Sequence, residues 1–228
     1  MNNCPICGGV PIDSHIIPSS FNFEPHKIYP INSGYPKRSP IGIYDKILCL
    51  KCDNYLGITD DYGQNILKKG ALESLVDDVI ISGIDVKELT YDYYLLTRFL
   101  LSVVYRAQYC SHVFYSRCKN GPMHQSLCEL FENGDIKILD RFSISLNYFS
   151  DFSTNGFMSQ PLFCEADRSF EMCINNMVLI VSHEHTRFPA PYSINSHGIT
   201  YIVPIKFHGS KYQEWIHGMI THSQKNIK

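Results

Sequence analysis

The sequence predicts an α+β fold in which a zinc-bound N-terminal module precedes a helical layer and a mostly antiparallel sheet. Two Cys-x-x-Cys pairs lie within the first 60 residues, and apolar residues then recur at helical spacing over 66–112. From residue 136 onward the pattern changes to alternating aromatic and β-branched residues, which is typical of strands. We therefore assign residues 1–61 to the module and residues 62–228 to a larger α+β domain.

The composition is that of a globular protein. The chain has 228 residues, of which 44% are hydrophobic and 18% are charged, and this balance argues against disorder. Its net charge of -2 is not the strongly basic balance of a protein whose whole surface binds nucleic acid. A contact with nucleic acid must therefore use a local patch of basic residues.

The chain shows no signal for export or for membrane insertion. Its first residues, Met1 to Cys4, contain no basic stretch followed by an apolar run, so we expect no signal peptide. No segment reaches about 18 unbroken apolar residues, so we expect no transmembrane helix. We therefore expect a cytoplasmic protein, in whose reducing environment paired cysteines are typical of metal sites before disulfides.

The two cysteine pairs share one spacing. Cys4-Pro5-Ile6-Cys7 is followed by Gly8, which relieves the tight turn behind the sulfur atoms, and Cys49-Leu50-Lys51-Cys52 supplies the second pair. Four thiolates form a tetrahedral site that suits zinc better than harder cations. The sequence therefore predicts a structural zinc ion held by Cys4, Cys7, Cys49 and Cys52. The alternative is two unrelated pairs of buried thiols.

Three helices are predicted between the module and the sheet. Leu67, Ala71, Leu75 and Val79 recur every fourth residue and predict a helix over 66–81 that ends at Gly83. A buried central helix over 91–112 and a shorter helix over 123–131 follow.

Within the module, we expect strands over 10–17 and 47–49 and a helix that starts at Cys52 and stops at Gly57. The sheet is predicted from the period-two segments of the second half of the chain. The predicted strands cover 142–148, 170–173, 176–183 and 199–207, and a terminal helix is predicted over 211–221.

Two arginines are the conspicuous charges of the central helix. Arg98 and Arg106 lie about two turns apart on one face. The pattern favours an ion pair with acidic residues of a neighbouring helix over a contact with substrate.

The segments around the cysteine pairs resemble a known family. Ser14-His15-Ile16-Ile17-Pro18 lies between the pairs, and Cys52-Asp53-Asn54 ends the second one. This arrangement resembles the HNH nucleases, which have a ββα-metal or treble-clef fold. It is most similar to the bacterial branch that reads Cys-x-x-Cys, Ser-His-Ile-Ile-Pro and Leu-Cys-x-x-Cys followed by an acidic residue. The resemblance covers about the first 60 residues.

The resemblance implies a catalytic site. His15 occupies the position of the general base that activates water, and Asp53 matches a ligand of a catalytic divalent ion. That ion is Mg2+ or another divalent metal, distinct from the structural zinc. The chain departs from the family where Ser14 replaces an aspartate and where Tyr44 falls near the middle asparagine. Asp60 and Asp61 are further candidates for the metal shell.

The resemblance also implies the activity. We expect a metal-dependent endonuclease that cleaves DNA or RNA, in a role such as bacterial or phage defence, with residues 62–228 serving substrate selection, regulation, dimerisation or a protein partner. Lys37, Arg38, Lys46 and Lys51 are the candidate phosphate contacts. The alternative is a non-catalytic protein in which the zinc-bound treble clef is a scaffold for binding a partner or nucleic acid. His15 would then bond the loop, and Asp53 would cap the helix.

Overall fold

The computed structural model describes residues 3–18, 21, 44–67, 74–112, 115, 118, 123–151, 161–164, 168–174, 177–184, 188–189 and 191–214. Its N-terminal module consists of strands β1 (Asp13–His15) and β2 (Tyr44–Lys46) and of helix α1 (Leu50–Leu67). The two strands are antiparallel, and their register places His15 opposite Tyr44 and Ser14 opposite Asp45. The module thus follows the order strand, strand, helix.

A seven-stranded sheet is built from strands that follow α1 in the chain. Its strands are β3 (Val76–Ile81), β4 (Ile84–Thr90), β5 (Phe142–Phe149), β6 (Leu162–Cys164), β7 (Ser169–Ile174), β8 (Met177–His183) and β9 (Ile199–Ile205). Their order in the sheet is β3-β4-β9-β5-β8-β7-β6. The pair β5–β9 is parallel and the other neighbours are antiparallel. The predicted α+β class is confirmed, with a sheet that is mixed.

Two further helices follow the β3–β4 hairpin in the chain. Helix α2 (Tyr93–Tyr109) begins where the Asp92 carboxylate accepts a hydrogen bond of 2.9 Å from the backbone N–H of Leu95. Helix α3 (His124–Phe131) follows, and a 3-10 helix (Ile136–Arg141) leads into β5. The predictions of a buried central helix and a shorter second helix are confirmed.

The predicted strands of the second half are also confirmed. Strands β5, β7, β8 and β9 each fall on one of the four predicted segments, with ends that differ by one or two residues. Residues 211–214 of the predicted terminal helix are helical, and the rest of that segment lies outside the described residues.

The predicted helix over residues 66–81 is wrong for its last part. Residues 66–67 and 74–75 are helical, and residues 68–73 lie outside the described residues. Val76–Ile81 is instead a strand that pairs with Ile84–Thr90. Ser82 and Gly83 have φ values of 51° and 80°, the backbone of a two-residue hairpin turn that matches the twist of the paired strands. Gly83 therefore closes a hairpin instead of ending a helix. Val79, Ile80 and Ile81 are β-branched residues, which suit a strand.

The predicted elements of the module are shifted. Helix α1 passes through Gly57 without interruption, so the prediction that it stops there is wrong. The second strand is Tyr44–Lys46, three residues before the predicted segment 47–49, and Ile47 and Leu48 are instead buried between β2 and α1.

One apolar core joins the module to the helices and the sheet. Ile16 and Leu48 of the module belong to the same buried cluster as Phe99 of α2 and Leu179 of β8. The division proposed between residues 61 and 62 lies within α1, and the separate roles of the two parts stay a prediction. In the part of the chain that the structure describes, no helix has both the length and the apolar character to cross a membrane.

Candidate metal centre

The first cysteine pair lies in a tight turn. The backbone N–H of Gly8 donates to the carbonyl of Cys4 at 2.7 Å, and that of Cys4 donates to the carbonyl of Gly9 at 2.8 Å. Gly8 has a φ of +73°, a conformation that glycine adopts without strain, as the sequence predicted. A Cβ on Gly9 would lie 3.2 Å from the Cβ of Cys49 and 3.4 Å from the sulfur of Cys7. The backbone of the first turn therefore packs directly against the second pair.

The second pair lies at the start of α1. Cys49 immediately precedes the helix, and its carbonyl accepts the first helical bond, from the N–H of Asp53, at 2.9 Å. Cys52 lies in the first turn. The helix start thus fixes both sulfur atoms and places them near the unpaired N–H groups of its first turn.

The four sulfur atoms come together in one cluster. All lie within 4.8 Å of one another, and the sulfur of Cys7 is 3.3 Å from that of Cys49 and 3.4 Å from that of Cys52. A disulfide would require about 2.05 Å, and the four cysteines are reduced. Sulfur atoms bound tetrahedrally at about 2.3 Å from a zinc ion lie roughly 3.8 Å apart. The cluster can therefore hold a metal ion such as zinc, and the alternative of two unrelated thiol pairs is wrong.

The surroundings of the cluster shift the pKa values of two of its thiols in opposite directions. The backbone N–H of Cys52 and the thiol of Cys7 hydrogen-bond the sulfur of Cys49 and lower its pKa to about 7. Burial raises the pKa of Cys52, and the neighbouring thiols of Cys7 and Cys49 raise it further. A bound cation would offset this penalty, because a coordinating thiol gives up its proton to the metal.

His15 lies on β1, in the segment between the two cysteine pairs. It is half-buried, and its ring centroid lies 5.9 Å from that of Tyr44, its partner in the strand ladder. Its Nε2 atom is buried and has no hydrogen-bond partner among the residues that the structure describes. The strand ladder thus places an aromatic ring beside the histidine.

Ser14 points to the opposite face of β1 and is 1% exposed. Its hydroxyl accepts a hydrogen bond of 3.3 Å from the backbone N–H of Leu48, just before the second cysteine pair. Ser14 therefore links the two halves of the cysteine module. A carboxylate here would be buried.

Asp53 is half-buried in the first turn of α1. A carboxylate at this place is favoured by the partial positive charge of the helix start. No hydrogen bond of its side chain to another residue of the described segments is present, so no hydrogen bond joins Asp53 to His15.

Asp60 is not available as a metal ligand. It is 8% exposed, and both of its oxygens accept hydrogen bonds from Arg106, at 2.7 and 2.9 Å. This confirms the predicted ion pair between α1 and Arg106. Asp61 is exposed. Arg98 forms no such pair within the described residues and instead lies against aromatic rings, a difference that the sequence did not indicate.

The candidate phosphate contacts are only partly described. Lys46 on β2 and Lys51 on α1 are exposed. Lys37 and Arg38 lie outside the described residues, and their role stays a prediction.

Comparisons with protein-family models, with curated proteins and with solved structures found no match for this chain.

Proposed function

We propose that the chain is a zinc-stabilised, metal-dependent endonuclease of the HNH type that hydrolyses phosphodiester bonds of DNA or RNA. The observation that supports this most is the order strand, strand, helix around four clustered cysteines, with His15 on the first strand and Asp53 in the first turn of the helix. The resemblance assigns its catalytic groups to these two positions. Zinc holds the four cysteines in this proposal, and its role is structural.

His15 acts as the general base of the proposed reaction. Histidine is the side chain that serves most often as a general base, and the Nε2 atom of His15 is not engaged by any other described residue. The ring of Tyr44 beside it restricts the orientations that the imidazole can adopt. Asp53 offers a carboxylate to a divalent ion. Such an ion, when bound, stabilises the charge that develops on the scissile phosphate and the leaving oxygen.

Ser14 distinguishes this site from the family pattern. Its hydroxyl is used by the backbone of Leu48, so the residue before His15 gives no ligand to a catalytic ion. Asp53 would then hold the ion together with the substrate phosphate and water. A site with few protein ligands suits Mg2+ or Mn2+, which keep several waters when bound to proteins.

A plasmid-nicking assay with Mg2+, Mn2+ or Ni2+ tests the proposal. We expect the wild-type protein to nick the plasmid, and His15→Ala and Asp53→Asn to lower the rate by about 100-fold or more, since general-base catalysis contributes typically 10²–10⁴-fold. His197→Ala is the matched control, because His197 is exposed and lies just before β9, about 130 residues beyond the module in sequence. Each variant must retain its zinc.

Two outcomes would contradict the proposed endonuclease activity. One is the absence of nicking in the wild-type protein with all three ions and with both DNA and RNA. The other is equal nicking by wild type and His15→Ala, which would assign the activity to a contaminant or to another site.

A binding protein that uses the cysteine module as a scaffold is the second candidate. The observation in its favour is the inward orientation of Ser14, which leaves no carboxylate immediately before His15. This candidate predicts zinc binding without cleavage. Retention of labelled DNA or RNA by an inactive, zinc-loaded protein would support it.

A further inference from the structure

Arg98 is a buried cation that has no anionic partner in the described part of the chain. It lies on α2 and is 6% exposed. Its guanidinium carbon is 4.4 Å from the ring centroid of Tyr55, 5.5 Å from that of Tyr94 and 5.7 Å from that of Phe131. One of its terminal nitrogens donates to the hydroxyl of Tyr94. No carboxylate of the described segments forms an ion pair with it, and its Nε is buried without any partner.

Arg106, two turns further along the same helix, has the carboxylate partner that Arg98 lacks among the described residues. It is also buried, and its guanidinium donates to both oxygens of Asp60 and to the hydroxyl and carbonyl of Ser102. The helix therefore carries two buried arginines, one of which is paired with a carboxylate and one of which retains a buried Nε–H donor without a partner.

An unpaired buried charge is costly. Removing an ion from water costs several kcal/mol, and that cost is recovered in proteins by an opposite charge with good hydrogen bonds. The three aromatic rings recover part of it, because a cation over a ring is worth about 0.5–2 kcal/mol. They give nothing to the in-plane N–H groups of the guanidinium. An oxyanion that accepts from these N–H groups would complete the site.

We propose that Arg98 binds a phosphate group, either free or carried by a nucleic-acid strand. A guanidinium is a planar fork that matches phosphate oxygens, and phosphate offers more acceptors and more charge than a carboxylate. The hydroxyl of Tyr94 accepts from Arg98 and keeps its own proton to donate to the ligand.

Tyr55 forms the outer wall of this site. It is 52% exposed on α1, so the ligand reaches the guanidinium by displacing an exposed ring. Tyr55 follows Asp53 by two positions, which is about 200° of rotation around the helix. The Arg98 site is thus on a different side of α1 from the proposed catalytic carboxylate, and it does not depend on the nuclease activity.

Titration with inorganic phosphate, in the absence of added divalent ions, tests the site. The zinc-loaded protein is titrated with sodium phosphate, and with sodium chloride and sodium acetate at equal ionic strength. The readouts are the thermal midpoint and the side-chain Nε–H signal of Arg98 in ¹⁵N NMR. We expect phosphate alone to raise the midpoint and shift this signal. We expect Arg98→Met to abolish the effect and Arg98→Lys, which keeps the charge but loses the fork, to weaken it several-fold.

A labelled single-stranded oligonucleotide separates the two sources of phosphate. If Arg98→Met weakens oligonucleotide binding tenfold or more and free phosphate has no effect on the wild-type protein, the site binds the phosphate of a nucleic-acid strand. Lys137→Met is the control, since it removes one exposed positive charge elsewhere. Four results would each overturn the proposal: no response of the wild-type protein to phosphate or to the strand, an equal response to acetate, equal loss in Lys137→Met, or unchanged binding in Arg98→Met.

Discussion

Arg106 on α2 binds Asp60 on α1 through two parallel hydrogen bonds of 2.9 and 2.7 Å. Both side chains are buried, so the pair is shielded from water and salt. It joins the helix that begins at the cysteine cluster to the central helix of the larger part of the fold.

Loss of the arginine should therefore be costly. Arg106→Met would leave the carboxylate of Asp60 buried without its partner, and we expect the free energy of unfolding to fall by about 3–5 kcal/mol. Urea denaturation of the zinc-loaded protein measures it. Lys87→Met is the control, because Lys87 pairs at 2.9 Å with the exposed Asp78 and should change the free energy of unfolding by at most about 1 kcal/mol. Similar losses in the two variants would contradict this prediction.

Two glycines of α1 should respond in opposite directions to alanine. A Cβ on Gly63 would lie 2.3 Å from ring atoms of Phe99, so Gly63→Ala forces α1 and α2 apart and should destabilise the protein by about 1–3 kcal/mol. A Cβ on Gly57 meets no atom within 4 Å, and Gly57→Ala should stabilise by roughly 0.5–1 kcal/mol, since alanine favours the helix.

Thermal unfolding of the two variants and the wild type measures this difference. A stabilising Gly63→Ala would show that the two helices do not approach as closely as the structure indicates.

The cysteine cluster predicts bound metal. We expect about one zinc per chain by elemental analysis, and we expect Cys49→Ser to lose it and to unfold at lower temperature, because binding free energies at structural zinc sites reach about 10 kcal/mol or more. Cys128→Ser is the control. The thiol of Cys128 contacts Tyr109 and His124 on α2 and α3, so this variant should retain its zinc. A metal-free wild-type protein, or retention of zinc by Cys49→Ser, would contradict the assignment.

Asp45 should make stability depend on acid pH. Its carboxylate on β2 is partly desolvated, which raises its pKa, but hydrogen bonds from Ser111 and from the backbone of Lys46 outweigh this and hold the pKa below its ordinary value. A lowered folded-state pKa stabilises the fold above the unfolded value near 3.9, and this contribution is lost as the pH falls through the folded value.

The comparison of Asp45→Asn with wild type tests this sign. The variant should be less stable at pH 7. The difference should shrink below about pH 4, where the carboxylate of the unfolded chain becomes protonated, and should be lost below the folded-state pKa. Urea denaturation at both pH values measures it. A difference that is the same at pH 7 and pH 3 would show that the charge of Asp45 plays no part.

The cysteine cluster and most of the regular elements could be predicted from the sequence. Equal spacing of the two pairs indicated that their sulfur atoms converge, and the apolar run of α2 and the alternation in β5 and β8 indicated a buried helix and buried strands. These signals are local, because helix and strand periodicity place neighbouring side chains on one face regardless of the rest of the chain.

Residues 76–81 show where local signals fail. Their apolar spacing fits a helix as well as a strand, and the pairing of β3 with β4 decided the outcome through hydrogen bonds to another segment.

By itself, the sequence determined which residues can bind a metal and where the central helix and the main strands lie, since spacing and periodicity are properties of the chain. Only the tertiary structure decided that Ser14 faces Leu48, that Arg106 meets Asp60, and that Arg98, on the same helix, meets aromatic rings instead. The physical reason is that the partner of a buried polar group is set by the packing of distant segments, which fixes the surroundings of each charge.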